Sequence, residues 1–95
     1  GSGPAYFFAF VEAMIDGAVD LGLSRDDATT LTIQTIVGAA ELLENSGDSP
    51  ARLREKVTSP NGTTAAALAS FGDAGLAAIV AEAMAAAARR SQELA

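Results

Sequence analysis

The chain has 95 residues, one domain or part of a larger one, and a chain of this size buries only about 60–65 % of the surface its unfolded form exposes. Six Lys and Arg against twelve Asp and Glu give a net charge of −6, which argues against the basic face that nucleic acid or an anionic membrane requires. With no Cys and no His, disulfides, thiol catalysis, a Ser–His pair and imidazole-bound zinc are excluded, leaving a scaffold, a pairing module, or a site built from hydroxyls, backbone amides and carboxylates.

Ala supplies 22 residues and the aromatics five, so helix propensity is high and large core side chains are few. No segment alternates apolar and polar residues with the period of a strand. The expected fold is all-α, a bundle of about five helices. A core made largely of Ala fills space only where helix axes approach closely.

The first helix is expected from Pro4 to about Leu21, capped by Ser2 or Gly3 and stopped by Gly22, with Leu23 folding back over its end. Residues 5–11 are apolar all round, a pattern that demands burial on every side and points to a second chain. The second helix opens at Ser24, with Asp26 and Asp27 at the positive end of its dipole, and fades near Asn45 before Gly47. A short third helix follows Ser49 and Pro50, with Leu53 and Val57 on one stripe. A turn over residues 58–64 launches a fourth helix, about 64–71, stopped by Gly72. Asp73 caps a fifth, striped by Leu76, Ile79, Val80, Ala83, Met84 and Ala87. The longest apolar run, residues 76–88, is broken by Glu82 and falls short of the roughly 20 residues a membrane helix needs. The start carries no basic region of a signal peptide. A soluble, cytoplasmic protein is the expectation.

The 58–64 turn is the one chemically suggestive constellation. Ser59, Thr63 and Thr64 bring three hydroxyls to a helix N-terminus, where unpaired amides and the dipole favour a carboxylate or phosphate, and Gly62 lets a ligand approach the backbone. Every helix has a cap, so the bare residues favour a plainer reading, in which the hydroxyls satisfy their own helix. Three other groups read as structure. Glu12, Asp16 and Asp20 form a solvated or salt-bridged stripe rather than a metal site, and no metal is expected. Phe7, Phe8 and Phe10 suit a core or subunit interface better than a cofactor pocket. Glu41 and Glu44, one turn apart, are not disposed as an acid–base pair.

Gly1-Ser2-Gly3-Pro4-Ala5-Tyr6 opening a helix, Val57-Thr58-Ser59-Pro60-Asn61-Gly62-Thr63-Thr64, and the closing Ala-rich helix together resemble the C-terminal domain of pyrroline-5-carboxylate reductase, over essentially the whole chain. The resemblance implies an enzyme that reduces 1-pyrroline-5-carboxylate to L-proline with NAD(P)H, the last step of proline biosynthesis. It implies that residues 1–95 form one helical dimerisation and substrate-binding domain, intertwined with a second copy, with a higher oligomer left open. It also assigns roles in the turn. Ser59, Gly62 and Thr63 would bind the substrate carboxylate, and Thr64 would place its hydroxyl near the ring nitrogen as the catalytic residue.

The chain departs from the family pattern in two ways. Asn61 stands where the family often has Gly; it tolerates positive φ, but its side chain narrows the space at the turn. No Gly-x-Gly-x-x-Gly is present. The resemblance therefore implies that NAD(P)H is bound by a domain this chain lacks, through residues that stay unassigned. The isolated chain is expected to bind no cofactor and to be inactive. The rival reading is a stand-alone helical dimerisation module with neither ligand nor catalysis.

Overall fold

The computed structural model describes residues 3–95, which contain five α-helices and no strand. They are α1 (Gly3–Asp20), α2 (Arg25–Asn45), α3 (Pro50–Lys56), α4 (Thr63–Ala74) and α5 (Leu76–Leu94). The chain divides into two compact units, one ending at Pro50 and the other spanning Ala51–Ala95. In the first, α1 packs on α2; in the second, α4 packs on α5.

Local chemistry sets most of the boundaries. Gly3 is itself the first helical residue of α1; Ser2 lies outside the described residues. At the other end Gly22 adopts φ 112°, its N–H donates to Val19 O at 3.0 Å, and the Leu23 N–H donates to Ala18 O at 3.2 Å. That paired closure is the Schellman stop the sequence called for. Ser24 then caps α2, its hydroxyl oxygen accepting the Asp27 N–H at 3.1 Å. Gly47, at φ 77°, follows the end of α2, and Pro50 opens α3.

The break between the last two helices lies elsewhere than expected. Gly72 keeps a helical backbone and α4 runs on through Asp73 to Ala74, so Asp73 is not a cap. Gly75 takes the left-handed φ of 85° instead, donating its N–H to Gly72 O at 3.1 Å, and α5 begins at the next residue. A helix absorbs an internal Gly for about 1 kcal/mol, so Gly72 need not end it. Across Gly75 the two axes bend by 52°. No single described helix is long and apolar enough to cross a membrane; only the bent α4–α5 pair reaches that length and composition together.

Very little of the chain is buried. Among the described residues Ala28 is the sole buried hydrophobic, and Thr32 the sole buried polar one. Both lie on α2 where it meets α1. The all-round apolar segment of α1 stays open within its own unit, with Phe7 and Phe8 63 % and 67 % exposed. The Ala-rich α5 likewise buries no residue.

Candidate functional site

The 58–64 turn is anchored to α3 before it reverses. The Thr58 hydroxyl donates to Arg54 O at 2.6 Å, and the Thr58 N–H donates to Glu55 O at 3.2 Å. These bonds close the last carbonyls of α3. Thr58 had no role assigned from sequence; the available signal was a Thr four residues after a helical Arg, where a hydroxyl reaches back to the i−4 carbonyl.

Ser59-Pro60-Asn61-Gly62 then forms a β-turn, with the Gly62 N–H donating to Ser59 O at 3.0 Å. Pro60 takes the second position that its fixed φ suits, and Asn61 takes the third with φ 61°, as a type II turn requires. Asn61 is the one non-Gly residue with positive φ among the described residues. Gly62 has a different task from the one its residue type suggested. Its backbone is extended (φ −85°, ψ −179°), and a Cβ there would lie 3.2 Å from Ser59 O and 3.4 Å from Ser59 Cβ. Glycine at this position leaves space against Ser59, which a Cβ would press by a few tenths of an ångström.

Gly62 is also the N-cap of α4, and it supplies no side-chain cap. Its carbonyl accepts the Ala66 N–H at 3.1 Å, the first bond of the helix. The N–H groups of Thr63, Thr64 and Ala65 find no acceptor among the described residues. The hydroxyls of Ser59, Thr63 and Thr64 likewise make no hydrogen bond there, and all three residues are exposed. The capping reading required those hydroxyls to satisfy the helix, and they do not. The turn thus gathers three unengaged amides and three unengaged hydroxyls at the positive pole of a twelve-residue helix whose first turn holds no acid. Such an arrangement accepts an oxyanion: amides and hydroxyls donate, and the dipole offsets the charge.

The other groups singled out from sequence separate. Phe10 lines a groove of about 190 Å³ with Met14, Thr32, Thr35, Ile36 and Ala39, while Phe7 and Phe8 lie outside it. The groove walls are apolar apart from two threonines; the Thr35 hydroxyl is spent on Leu31 O at 2.7 Å. Asp16 accepts from the Arg25 guanidinium at 3.1 Å, an exposed pair joining α1 to the start of α2. No three acidic side chains among the described residues are placed to hold a metal ion. Glu41 and Glu44 are both exposed.

Comparison with known proteins gives a consistent picture. The family model described as pyrroline-5-carboxylate reductase dimerisation matches residues 1–94. The chain is 55 % identical over 95 residues to a pyrroline-5-carboxylate reductase of Pseudomonas aeruginosa, covering 100 % of this chain and 35 % of that protein. It is 48 % identical over 94 residues to the Synechocystis enzyme of the same name, covering 99 % and 35 %. Among solved structures, a pyrroline-5-carboxylate reductase from Coxiella burnetii superposes with a TM-score of 0.96 at 41 % identity, covering 100 % of this chain and 35 % of that one. A pyrroline carboxylate reductase from Plasmodium falciparum with NADP bound gives 0.92 at 37 %, covering 96 % and 35 %. The chain spans about a third of the length of the relatives it matches.

Proposed function

We propose a function from one premise: the chain belongs to the pyrroline-5-carboxylate reductase dimerisation family. In this reading it is the C-terminal, pairing and substrate-binding domain of a cytoplasmic enzyme that reduces 1-pyrroline-5-carboxylate to L-proline with NAD(P)H. The observation that carries the substrate-binding part is the set of unengaged amides and hydroxyls around Gly62, since the substrate is a carboxylate.

Each residue has a task in this reading. The Ser59 hydroxyl and the N–H groups of Thr63 and Thr64 donate to the carboxylate and fix the ring in one orientation. Gly62 keeps the turn tight enough for Ser59 to stand beside the helix end. The Thr64 hydroxyl lies against the ring nitrogen and accepts the N–H of the protonated imine, so the nitrogen already holds its proton when the C=N bond is reduced. A bound nicotinamide would supply the hydride to the ring carbon. The described residues include no strand and hence no strand–glycine-turn–helix unit of the kind that cradles a dinucleotide, so no step of hydride delivery is assigned to this chain.

The partner in this reading is a second copy. Phe7, Phe8, Leu31, Val37, Ile79 and Met84 are large, apolar and exposed within their own units, and intertwined helices would cover them. An assay for NAD(P)H-dependent formation of proline from 1-pyrroline-5-carboxylate, on the full-length enzyme carrying this chain, tests the activity. A purified, folded enzyme with no turnover of that imine would rule the reading out.

A further inference from the structure

We propose that Thr58 is a positioning residue for the candidate site: its hydroxyl bond to α3 fixes where the Ser59 hydroxyl stands against the amino end of α4. The proposal rests on the reading of the turn as a carboxylate-binding site and adds to it a residue that touches no substrate.

Thr58 does not serve the carboxylate itself. Its hydroxyl proton goes to Arg54 O at 2.6 Å, and a hydroxyl has only one proton to give. Its N–H is spent on Glu55 O at 3.2 Å. Thr58 is half-buried, whereas Ser59, Pro60 and Asn61 are exposed. Arg54 O also accepts the Val57 N–H, at 3.3 Å. The backbone bonds that close α3 are thus long, and the Thr58 hydroxyl makes the shortest tie between that helix and the turn.

Ser59 depends on this tie. Its one hydrogen bond among the described residues lies inside the turn, where its carbonyl accepts the Gly62 N–H at 3.0 Å. The Ser59 Cβ precedes that carbonyl in the chain. Rotation about the Cα–C bond of Ser59 would therefore swing its hydroxyl relative to α4 and leave the turn bond whole. Pro60 biases Ser59 to extended backbone, but over a range of about 40° in ψ. Thr58, held through both its N–H and its hydroxyl, narrows that range from the α3 side.

Steady-state kinetics and melting of the full-length enzyme test the proposal. Thr58→Val keeps the β-branched shape and removes the hydroxyl. It should raise KM for 1-pyrroline-5-carboxylate roughly two- to twelvefold, the range set by one neutral hydrogen bond, and leave kcat and KM for NAD(P)H unchanged. Thr58→Ser should restore the wild-type KM. Thr58→Val combined with Ser59→Ala should show the KM of Ser59→Ala alone, because a residue that acts through Ser59 has nothing to place once that hydroxyl is gone. A Thr58→Val enzyme with lowered Tm and wild-type KM, or a double variant in which the two effects multiply, overturns the proposal and leaves the site reading standing. If Ser59→Ala by itself leaves KM unchanged, the site reading falls and the proposal with it.

Discussion

Thr64→Ala separates the site reading from a structural one. Thr64 is the second residue of α4, exposed, with a hydroxyl that bonds to nothing among the described residues, and the N-cap is Gly62. Removing that hydroxyl breaks no bond within the chain. Ala is a better helix former than Thr by about 0.5 kcal/mol, so the fold should be unharmed or gain about 1–2 °C in Tm in the longer enzyme. The expected damage is catalytic. Loss of a hydrogen bond to a charged group costs about 1.5–3 kcal/mol, which lowers kcat/KM roughly 10- to 150-fold. Steady-state kinetics with 1-pyrroline-5-carboxylate on the full-length enzyme, and melting of the same protein, measure both effects. Thr64→Ser keeps the hydroxyl and should recover most of the rate. If kcat/KM is unchanged while Tm falls, Thr64 serves the fold, and the assignment of the ring nitrogen to it is wrong.

The other predictions concern the neighbouring residues and the isolated chain. Ser59→Ala should raise KM for the imine acid by roughly tenfold, the worth of one carboxylate hydrogen bond, and leave KM for NAD(P)H unchanged; a change confined to the nucleotide would contradict the turn's role. Gly62→Ala puts a Cβ 3.2 Å from the Ser59 carbonyl oxygen, so Ser59 must give by a few tenths of an ångström, and the same substrate KM should rise with that displacement. Gly75→Ala forces a side chain onto φ 85°, costing about 1–2 kcal/mol, or about 4–8 °C in Tm per kcal/mol, whereas Gly72→Ala on a helical backbone escapes that penalty. Calorimetric titration of the 95-residue chain with NADPH at micromolar concentration should show no saturable heat.

Helix boundaries governed by a single residue's chemistry were readable in advance. Ser24, Gly22 and Pro50 each do what their residue types dictate. The choice between Gly72 and Gly75 was not readable, because both can stop a helix and the balance depends on where the following helix packs. In the turn, Pro60 and Asn61 announced the reversal. Gly62 reads as room for a ligand to approach the backbone, and its closeness to Ser59 is a distance that sequence does not encode. Whether Ser59, Thr63 and Thr64 spend their hydroxyls on the helix depends on side-chain geometry, which is why cap and ligand site were indistinguishable from composition. The apolar girth of residues 5–11 was legible and signalled a surface that its own unit leaves uncovered.

The joint at Gly75 has no slack. One residue is at once the end of α4 and the cap of α5, and it turns the chain through 52°. Most helix pairs are joined by a loop that can lengthen or shorten without disturbing what it connects. Here any inserted residue would have to be taken up by the helices themselves, and each one swings the apolar stripe of α5 by about 100° about its axis relative to the amino end of α4. The stripe carrying Ile79 and Met84 and the turn carrying Ser59 to Thr64 are thus geared together.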